Sequence, residues 1–312
     1  MTDSSPKISQ SKMNFYIEDV LDSIKIGIIM LSAENSIEKL NMGILNMFCY
    51  KQDELQNKPI KILFNSVEYK ALQRYMKNAE NASNASYTKK IELNGLRQDK
   101  TNIPVEITIF KTDDNYEKMS ILIIRDISDF NQNVEDLKYL AYYDQLTKIP
   151  NRTLFRDRAE TAIRIARRDD EKLAIVYIDI DEFKVINDTM GHEAGDILLK
   201  ELSQRFQECV RDSDTVSRVG GDEFTILMLK ITCHEDVSIV AERILKSNLI
   251  PIKINDQDIL PKTSLGISIF PKDGDNIGML LKKSDAAMYF AKENGKNQFM
   301  FYKPNMIKGV NK

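Results

Sequence analysis

Histidine, cysteine and tryptophan are scarce in this sequence, and their scarcity excludes several kinds of site. The 312 residues include no tryptophan, two histidines and three cysteines. The cysteines, Cys49, Cys209 and Cys233, are odd in number and widely spaced, so they predict neither a disulfide framework nor a metal motif. Both histidines, His192 and His234, lie in the second half, which excludes a histidine-ligated haem from the first half.

Long apolar runs and a large excess of charge are also missing. No apolar stretch approaches the roughly 18 residues of a membrane span, and the N-terminus lacks the hydrophobic centre of a signal peptide. We therefore expect a cytoplasmic protein without a membrane span. The net charge of -3 provides no basic surface for nucleic acid, so no nucleic-acid partner is expected. A hydrophobic content of 42% over this length is sufficient for two packed domains.

One short segment, Gly220 to Glu223, combines two glycines with two acids between apolar runs. The pattern predicts a β-hairpin with Asp222 and Glu223 at its tip. The glycine pair Gly220 and Gly221 permits the positive backbone dihedrals of a tight turn and the close approach of a ligand. By itself the segment is more typical of an ordinary acidic turn than of a binding site.

A second acidic cluster follows the apolar run Leu173 to Ile178, which predicts a strand buried on both faces. In an extended segment Asp179 and Asp181 point to the same side, at the end of the strand where open α/β sheets bind ligands. If the hairpin pairs beside this strand, three or four carboxylates converge and require a cation. Oxygen ligands without cysteine or histidine favour Mg²⁺ or Mn²⁺ over zinc.

Together these motifs resemble the GGDEF family of diguanylate cyclases. The resemblance rests on Asp179-Ile-Asp-Glu-Phe-Lys-Val-Ile-Asn187 through Gly195-Asp196, on Arg218-Val-Gly-Gly-Asp-Glu-Phe224, and on flanking motifs from Asp144 to Asn297. It implies a ferredoxin-like, palm-type fold and the condensation of two GTP molecules into cyclic di-GMP. Our coarse reading places strands at 173–178, 263–270 and 298–302, and helices near 194–209, 235–247 and 276–293.

The resemblance also implies roles for the acidic residues. Asp179, the carbonyl of Ile180, Asp222 and Glu223 are expected to bind two Mg²⁺ (or Mn²⁺) ions per active site. Asp179, Asp222 and Glu223 are accordingly the expected catalytic residues, with Glu223 the candidate to receive the hydroxyl proton. Asp181 is expected instead to cap the following helix.

Further residues are expected to hold the substrate. Asn187 and Asp196 would read guanine, because a carboxylate can accept from both N1-H and the N2 amino group, which adenine lacks. The alternative for Asp196 is helix capping. The phosphates would meet the main chain at Phe183 and Lys184, the glycine pair, and two basic side chains, Lys292 and Lys296. Solvated surface lysines are the alternative for the last two.

A regulatory site is implied by Arg211 and Asp214, which match the family's RxxD inhibitory site for the product. Arginine can bind a phosphate or guanine O6 and N7 with its forked donors. The alternative is a surface ion pair between the two side chains. Lys148 departs from the family, which usually has glycine at this position.

The first half predicts short strands around a few helices. The pattern indicates a hairpin at 27–31 and 36–40, helices at 41–50 and 69–78, and strands at 89–93, 103–110 and 119–125. This order, Asn41 and the closing Arg125-Asp-Ile-Ser128 resemble a PAS sensor domain. Its ligand is unknown, and the Phe-Cys-Tyr context of Cys49 is not that of a flavin-reactive cysteine.

Between the halves, apolar residues recur at spacings of three and four. They are Ile127, Phe130, Val134, Leu137 and Ala141. The spacing predicts a short coiled-coil seam, and a homodimer through this linker helix and the PAS-like domain. One amphipathic helix packed on its own domain is the alternative.

The predicted fold class is α+β, with a PAS-like antiparallel-sheet domain followed by the GGDEF domain. We divide the chain into a disordered tail (1–12), the PAS-like sensor (13–128), a signalling helix (129–142), the GGDEF domain (143–305) and a tail (306–312).

Three functions remain open at this stage. The first is a cyclase controlled by the PAS-like sensor and by product inhibition. The second is a non-catalytic module that binds GTP or cyclic di-GMP. The third is a fragment of a dual cyclase and phosphodiesterase, because Phe299 to Met306 resembles segments that lead into EAL domains.

Overall fold

The computed structural model describes residues 26–80, 90–114 and 117–309. The chain divides into two compact units between Glu135 and Asp136. The predicted N-terminal tail, and the first residues of the predicted sensor, lie outside the described residues. No helix in the described ranges has the length and apolar character required to cross a bilayer.

Within the described part of the first unit, five strands form one antiparallel sheet in the order β2-β1-β5-β4-β3. The strands are β1 Ile26–Leu31, β2 Ile37–Leu40, β3 Lys90–Leu96, β4 Asn102–Asp114 and β5 Glu117–Asp126. The helices are α1 Met42–Phe48, α2 Gln52–Leu55, a 3-10 helix Ile60–Leu63 and α3 Ser66–Glu80. The predicted antiparallel PAS-like sheet is confirmed.

Asn41 shows why the chain turns from the β1–β2 hairpin into α1. Its side-chain oxygen accepts hydrogen bonds from the Ile44 amide that starts α1 (3.3 Å) and from the Ile28 amide of β1 (2.8 Å). Its amide group donates to the Ile26 carbonyl at 3.1 Å. One asparagine therefore caps the helix and joins it to the sheet.

The helix α4, Ser128–Tyr142, follows β5 and contains the predicted seam apart from its first residue, Ile127. Ile127 is buried, whereas Phe130 and Leu137 are 61% and 64% exposed. Among the described residues, therefore, these two large side chains of α4 are largely uncovered.

The second unit contains a mixed sheet in the order β12-β11-β6-β8-β7, in which β12 is parallel to β11 and the other pairs are antiparallel. The strands are β6 Lys172–Ile180, β7 Thr215–Arg218, β8 Glu223–Ile231, β11 Thr263–Phe270 and β12 Phe299–Phe301. A separate hairpin consists of β9 Ile252–Ile254 and β10 Gln257–Ile259.

Helices cover both faces of this sheet. They are α5 Arg152–Asp169, α6 Phe183–Met190, α7 His192–Glu208, α8 His234–Ser247 and α9 Ile277–Glu293. Side chains of α7 and α8 pack on one face, and side chains of α5 and α9 pack on the other. The predicted strand buried on both faces is confirmed, since all of β6 after Lys172 is buried.

Helix α5 of this unit was not predicted from the sequence. Its segment carries many charged residues, and its apolar stripe of Phe155, Ala159, Ile163 and Ala166 contains two small side chains. The short α6 begins directly after the acidic motif, where a helix was expected without bounds, and none of its residues is buried. A final 3-10 helix, Pro304–Gly309, extends into the predicted C-terminal tail, and Met306 is buried there.

Candidate active site

The two acidic motifs lie side by side because β6 and β8 are neighbouring antiparallel strands. Asp179 is the cross-strand partner of Glu223. The amide of Ile180 donates to the Asp222 carbonyl at 3.3 Å, which fixes the hairpin against the end of β6. Asp179 is buried, whereas Asp222 and Glu223 are half-buried. The pairing of the hairpin beside β6, which was a condition of the predicted cation site, is therefore present.

The hairpin turn differs from the one predicted. Neither Gly220 nor Gly221 has a φ in the left-handed range, so the expected positive dihedrals were wrong. The loop is longer than two residues, because β7 ends at Arg218 and β8 begins at Glu223. Gly220 has a different consequence: a Cβ there would lie 2.3 Å from Glu223 Oε2, so a side chain at this position would displace the Glu223 carboxylate. At Gly221 a Cβ would meet no atom within 4 Å.

Arg218 holds the tip of this hairpin. Its guanidinium donates from Nε and Nη2 to the Gly221 carbonyl at 3.0 and 2.7 Å, and from Nη1 to Asp144 Oδ1 at 3.0 Å. Asp144 Oδ1 also accepts from the amide and hydroxyl of Thr147 at 2.9 and 2.6 Å. Burial acts to raise the pKa of Asp144, but the hydrogen bonds from Thr147 and Arg218 outweigh it, so the pKa is lowered overall.

The Asp144–Thr147 turn belongs to the segment that follows α4. Lys148 in this turn has a φ of 63°, a conformation in which a side chain is strained and glycine is not. Its ammonium lies 5.8 Å from the centre of the Tyr139 ring of α4, a contact that partly offsets the strain. Sequence analysis noted Lys148 without predicting its conformation.

Helix α9 brings a cation to the buried carboxylate. Lys292 Nζ lies 2.6 Å from Asp179 Oδ1, so the two side chains form a short ion pair. The helix can lie this close to the sheet because β11 has Gly266, where a Cβ would lie 1.9 Å from the Ser284 carbonyl. Burial first, and then the charges of Asp222 and Glu223, raise the pKa of Asp179 to about 6 despite Lys292.

Two further residues near Glu223 were missed by sequence analysis. Tyr177 lies two positions before Asp179 on the same face of β6, and burial and the Glu223 charge raise the pKa of its hydroxyl. Asp285 of α9 is solvent-accessible, yet desolvation by the surrounding protein and the Glu223 charge raise its pKa. The alternation of side chains along β6 is the only sequence signal that could have placed Tyr177 on the same face as Asp179. Asp285 comes close to Glu223 through the packing of α9, which no local pattern predicts.

The donor chemistry at this edge fits a hard divalent cation. Asp179, Glu223 and Asp222 supply carboxylates, the backbone supplies carbonyls, and the buried Asp179 Oδ1 lies 2.6 Å from the Lys292 ammonium. In the described ranges no group of three histidine, cysteine, aspartate or glutamate side chains is arranged as a complete metal site. A cation here would therefore need further oxygen ligands, which a nucleotide's phosphates can supply.

Asn187 and Asp196 lie on adjacent helices. Asn187 of α6 packs on Gly195 of α7, where a Cβ would be 2.0 Å from Asn187 Oδ1. Asp196 follows Gly195 within helix α7, and its side chain is exposed to solvent. The N-cap of α7 is Gly191, several residues earlier. The alternative role of Asp196 as a helix cap is therefore wrong.

The start of α6 offers main-chain donors. Its N-cap Glu182 has a φ of 62° and provides no side-chain cap. The first helical amides, those of Phe183 and Lys184, make no intrahelical bond by geometry. The side chain of Lys184 is exposed. Beside this terminus Lys296 Nζ lies 2.8 Å from Glu182 Oε1, so Lys296 pairs with an acid.

The expected capping role of Asp181 is also wrong. Its carboxylate is buried and accepts from Ser264 Oγ at 2.8 Å and from the Asn297 amide at 3.0 Å. Asp181 therefore joins the end of β6 to β11 and to the loop after α9.

Arg211 and Asp214 lie in the turn between α7 and β7. The Asp214 carboxylate accepts from the amides of Arg211 and Leu229 at 3.2 and 3.0 Å. No ion pair between the two side chains occurs among the described residues, and Arg211 is exposed. Asp214 thus shapes the turn, and the Arg211 side chain extends into solvent.

Comparison with known proteins agrees with this geometry. Residues 141–298 match the family "Diguanylate cyclase, GGDEF domain", and residues 26–129 match the PAS domain family. Two relatives come from Pseudomonas aeruginosa. The bifunctional diguanylate cyclase/cyclic di-GMP phosphodiesterase MucR is 41% identical over 55% of this chain and 25% of its own length. The diguanylate cyclase TpbB is 38% identical over 51% of this chain and 37% of its own length.

A solved structure supports the same relationship. The isolated GGDEF domain of TpbB superimposes with a TM-score of 0.53 at 35% identity, over 55% of this chain and 100% of that domain. The chain thus spans well under half the length of the two curated relatives.

Proposed function

The chain belongs to the GGDEF family and carries a PAS domain, and we propose from this that it is a diguanylate cyclase. Two GTP molecules would condense to cyclic di-GMP. Each 3'-hydroxyl attacks the α-phosphate of the other GTP, and each attack forms one P–O bond and releases one pyrophosphate. The observation that carries the proposal is the opposition of Asp179 and Glu223 across β6 and β8, with Asp222 beside them.

The acidic residues would bind Mg²⁺ or Mn²⁺ and take part in proton transfer. Asp179, the Ile180 carbonyl, Asp222 and Glu223 would hold two metal ions, which neutralise phosphate charge and polarise the attacking oxygen. Glu223 is our candidate to accept the proton of the 3'-hydroxyl. Its carboxylate lies over Gly220, so its orientation depends on the absence of a side chain there. Lys292 would compensate the acidic cluster when no nucleotide is bound.

Recognition of GTP would depend on α6 and α7. Asn187 and Asp196 would bind the guanine edge, and a guanine-binding carboxylate would be left unpaired by adenine. The phosphates would meet the first amides of α6 at Phe183 and Lys184, where the helix dipole favours anions. Lys296 would exchange Glu182 for a phosphate.

The reaction requires two copies of the enzyme unit, because one unit holds one GTP. We propose a homodimer formed through α4 and the PAS domain, with proximity of the two bound nucleotides as the main catalytic effect. The exposed Phe130 and Leu137 on α4 support this arrangement. The PAS domain would control the distance between the two units, in response to a ligand that is unknown.

Product inhibition is proposed at Arg211 and Asp214. The exposed guanidinium of Arg211 is free of Asp214 and could bind a phosphate or a guanine of cyclic di-GMP. In Arg211→Ala, the concentration of cyclic di-GMP that halves the initial rate should be at least tenfold higher than in the wild type. An unchanged inhibition curve would contradict this assignment.

The activity itself is tested with the full chain, GTP and Mg²⁺. We expect one cyclic di-GMP and two pyrophosphates for every two GTP consumed, and no turnover for Asp222→Ala despite an unchanged melting curve. Asp256→Ala is the matched control, because Asp256 is 97% exposed in the β9–β10 turn. Binding of cyclic di-GMP or GTP without turnover at any protein concentration would instead support a non-catalytic binding module.

A further inference from the structure

The carboxylate of Asp181 connects three segments at the end of β6. Its two oxygens accept from Ser264 Oγ at 2.8 Å and from the Asn297 amide at 3.0 Å, and its own amide donates to the Lys262 carbonyl at 2.9 Å. Only 5% of the residue is exposed. A buried charge is retained only when its hydrogen bonds are satisfied, so each of these contacts contributes to the arrangement.

The loop held by Asp181 has an unusual backbone. Gly295, Lys296 and Asn297 follow one another with φ values of 116°, 59° and 44°. Left-handed conformations occur mostly as single residues, because the Cβ of an L-residue approaches the next carbonyl oxygen. Two successive non-glycine residues in this region require support from outside the loop. The Asn297 amide donating to Asp181 provides that support.

The supported loop carries a cation that the proposed function uses. Lys296 lies between Gly295 and Asn297, and its ammonium reaches Glu182, the residue next to Asp181. The Lys296 amide also donates to the Ala291 carbonyl at 3.1 Å, which joins the loop to the last turn of α9. The conformation at positions 295–297 therefore decides where the Lys296 side chain begins and which acids or phosphates it can reach.

We propose that Asp181 is a positioning residue for nucleotide binding, which holds the 295–297 loop so that Lys296 faces the phosphate side of the site. The effect on binding rests on the proposed function, whereas the effect on the loop does not. Asp181 itself contacts neither metal nor substrate in this assignment.

The loop is tested by hydrogen exchange on Asp181→Asn. Asparagine removes the negative charge of the acceptor, and a neutral amide oxygen accepts the Asn297 N–H more weakly than a carboxylate does, while its NH2 group can only donate to Ser264. We expect the Asn297 amide to exchange at least tenfold faster, with unchanged exchange in β6 and β8. Asp256→Asn, in the exposed β9–β10 turn, makes the same chemical change as a control. Unchanged exchange at 295–297 would overturn the proposal, whether or not the protein turns over GTP.

The link to Lys296 is tested with a double-mutant cycle. Asp181→Asn and Lys296→Ala should each weaken binding of a nonhydrolysable GTP analogue about tenfold and raise KM for GTP with less than a threefold change in kcat. If Asp181 acts through Lys296, the double variant should bind within about twofold of Lys296→Ala. Fully additive losses, or a lower kcat at constant KM, would indicate a merely structural role. If Asp181→Asn does not fold, Ser264→Ala should change exchange and binding in the same direction, and no change would refute the proposal.

Discussion

Arg218→Lys should loosen the acidic hairpin and lower the stability of the second unit. The arginine donates twice to the Gly221 carbonyl and once to Asp144, with only 14% of its side chain exposed. Lysine keeps the charge but cannot reproduce the fork. A hydrogen bond from a charged donor contributes about 1.5–3 kcal/mol, and lysine can restore one of the three. Because two bonds share one acceptor, we expect a net loss of about 2 kcal/mol.

The assay is calorimetry of the full chain near neutral pH. A loss of about 2 kcal/mol corresponds to a fall of roughly 4–8 °C in the melting transition of a domain this size. The matched control is Arg158→Lys, since the exposed Arg158 makes a single hydrogen bond, to Thr215 Oγ1 at 3.1 Å, that lysine can replace. Equal transitions for both variants would refute the idea that the fork stabilises the hairpin.

The same pair predicts a pH effect at Asp144. Its pKa is lowered in the folded state, so its contribution to stability is present above the unfolded pKa of about 4. The contribution is lost as the pH falls through the lower folded value. The difference in melting temperature between wild type and Arg218→Lys should therefore narrow as the pH is lowered from 6 to about 3, while the part that comes from the bonds to the Gly221 carbonyl remains. A difference that stays constant over this range would contradict a contribution from Asp144.

The remaining predictions concern the acidic cluster and base selection. Gly220→Ala should lower kcat at least tenfold, because the new Cβ would displace the Glu223 carboxylate. In the control variant Gly221→Ala the new Cβ meets no neighbour, so the loss should be smaller. Equal losses in the rate of pyrophosphate release would contradict this prediction. The pKa of Asp179 is raised to about 6 in the folded protein, so the unfolded chain loses this proton at a lower pH. In the presence of EDTA the free energy of unfolding should therefore fall as the pH rises from 4 through 6. Denaturant titrations should show this slope reduced in Asp179→Asn, and equal slopes would exclude Asp179 as its source. Asp196→Asn should raise KM for GTP by a larger factor than it changes kcat. Chromatography of the products formed from mixed GTP and ATP should show weaker discrimination between guanine and adenine. An unchanged base preference would assign guanine recognition to other residues.

The sequence was most informative where chemistry depends on consecutive residues. The acidic tip Asp222-Glu223, the strand that ends in Asp179, and the regular alternation of β4 can each be recognised locally, because they depend on residue type and a short period. The antiparallel first sheet followed from the same signals, whereas the palm-type second unit was implied by the family resemblance; both are confirmed. Exact domain limits stay predictions, since helix α4 continues across the division between the two units.

Some expectations failed because local rules compete with packing. The glycine pair suggested a tight turn with positive φ, but neither glycine has one, and a Cβ at position 220 would instead displace the Glu223 carboxylate. Asp181 has the residue type of a helix cap, yet Ser264 and Asn297 occupy its oxygens. The neighbours of Asp181 are distant in the sequence, and the position of the Glu223 carboxylate depends on how the hairpin folds.

By itself, the sequence determined the chemistry of the site: acidic oxygens, a guanine-compatible carboxylate and basic side chains in a recognisable order. Only the tertiary structure decided which of these groups meet. The bond between Asp181 and Asn297 joins residues 116 positions apart, and Lys292 reaches Asp179 because Gly266 allows α9 to lie close to the sheet. Such contacts depend on strand register and helix packing, which the order of residues along the chain does not state.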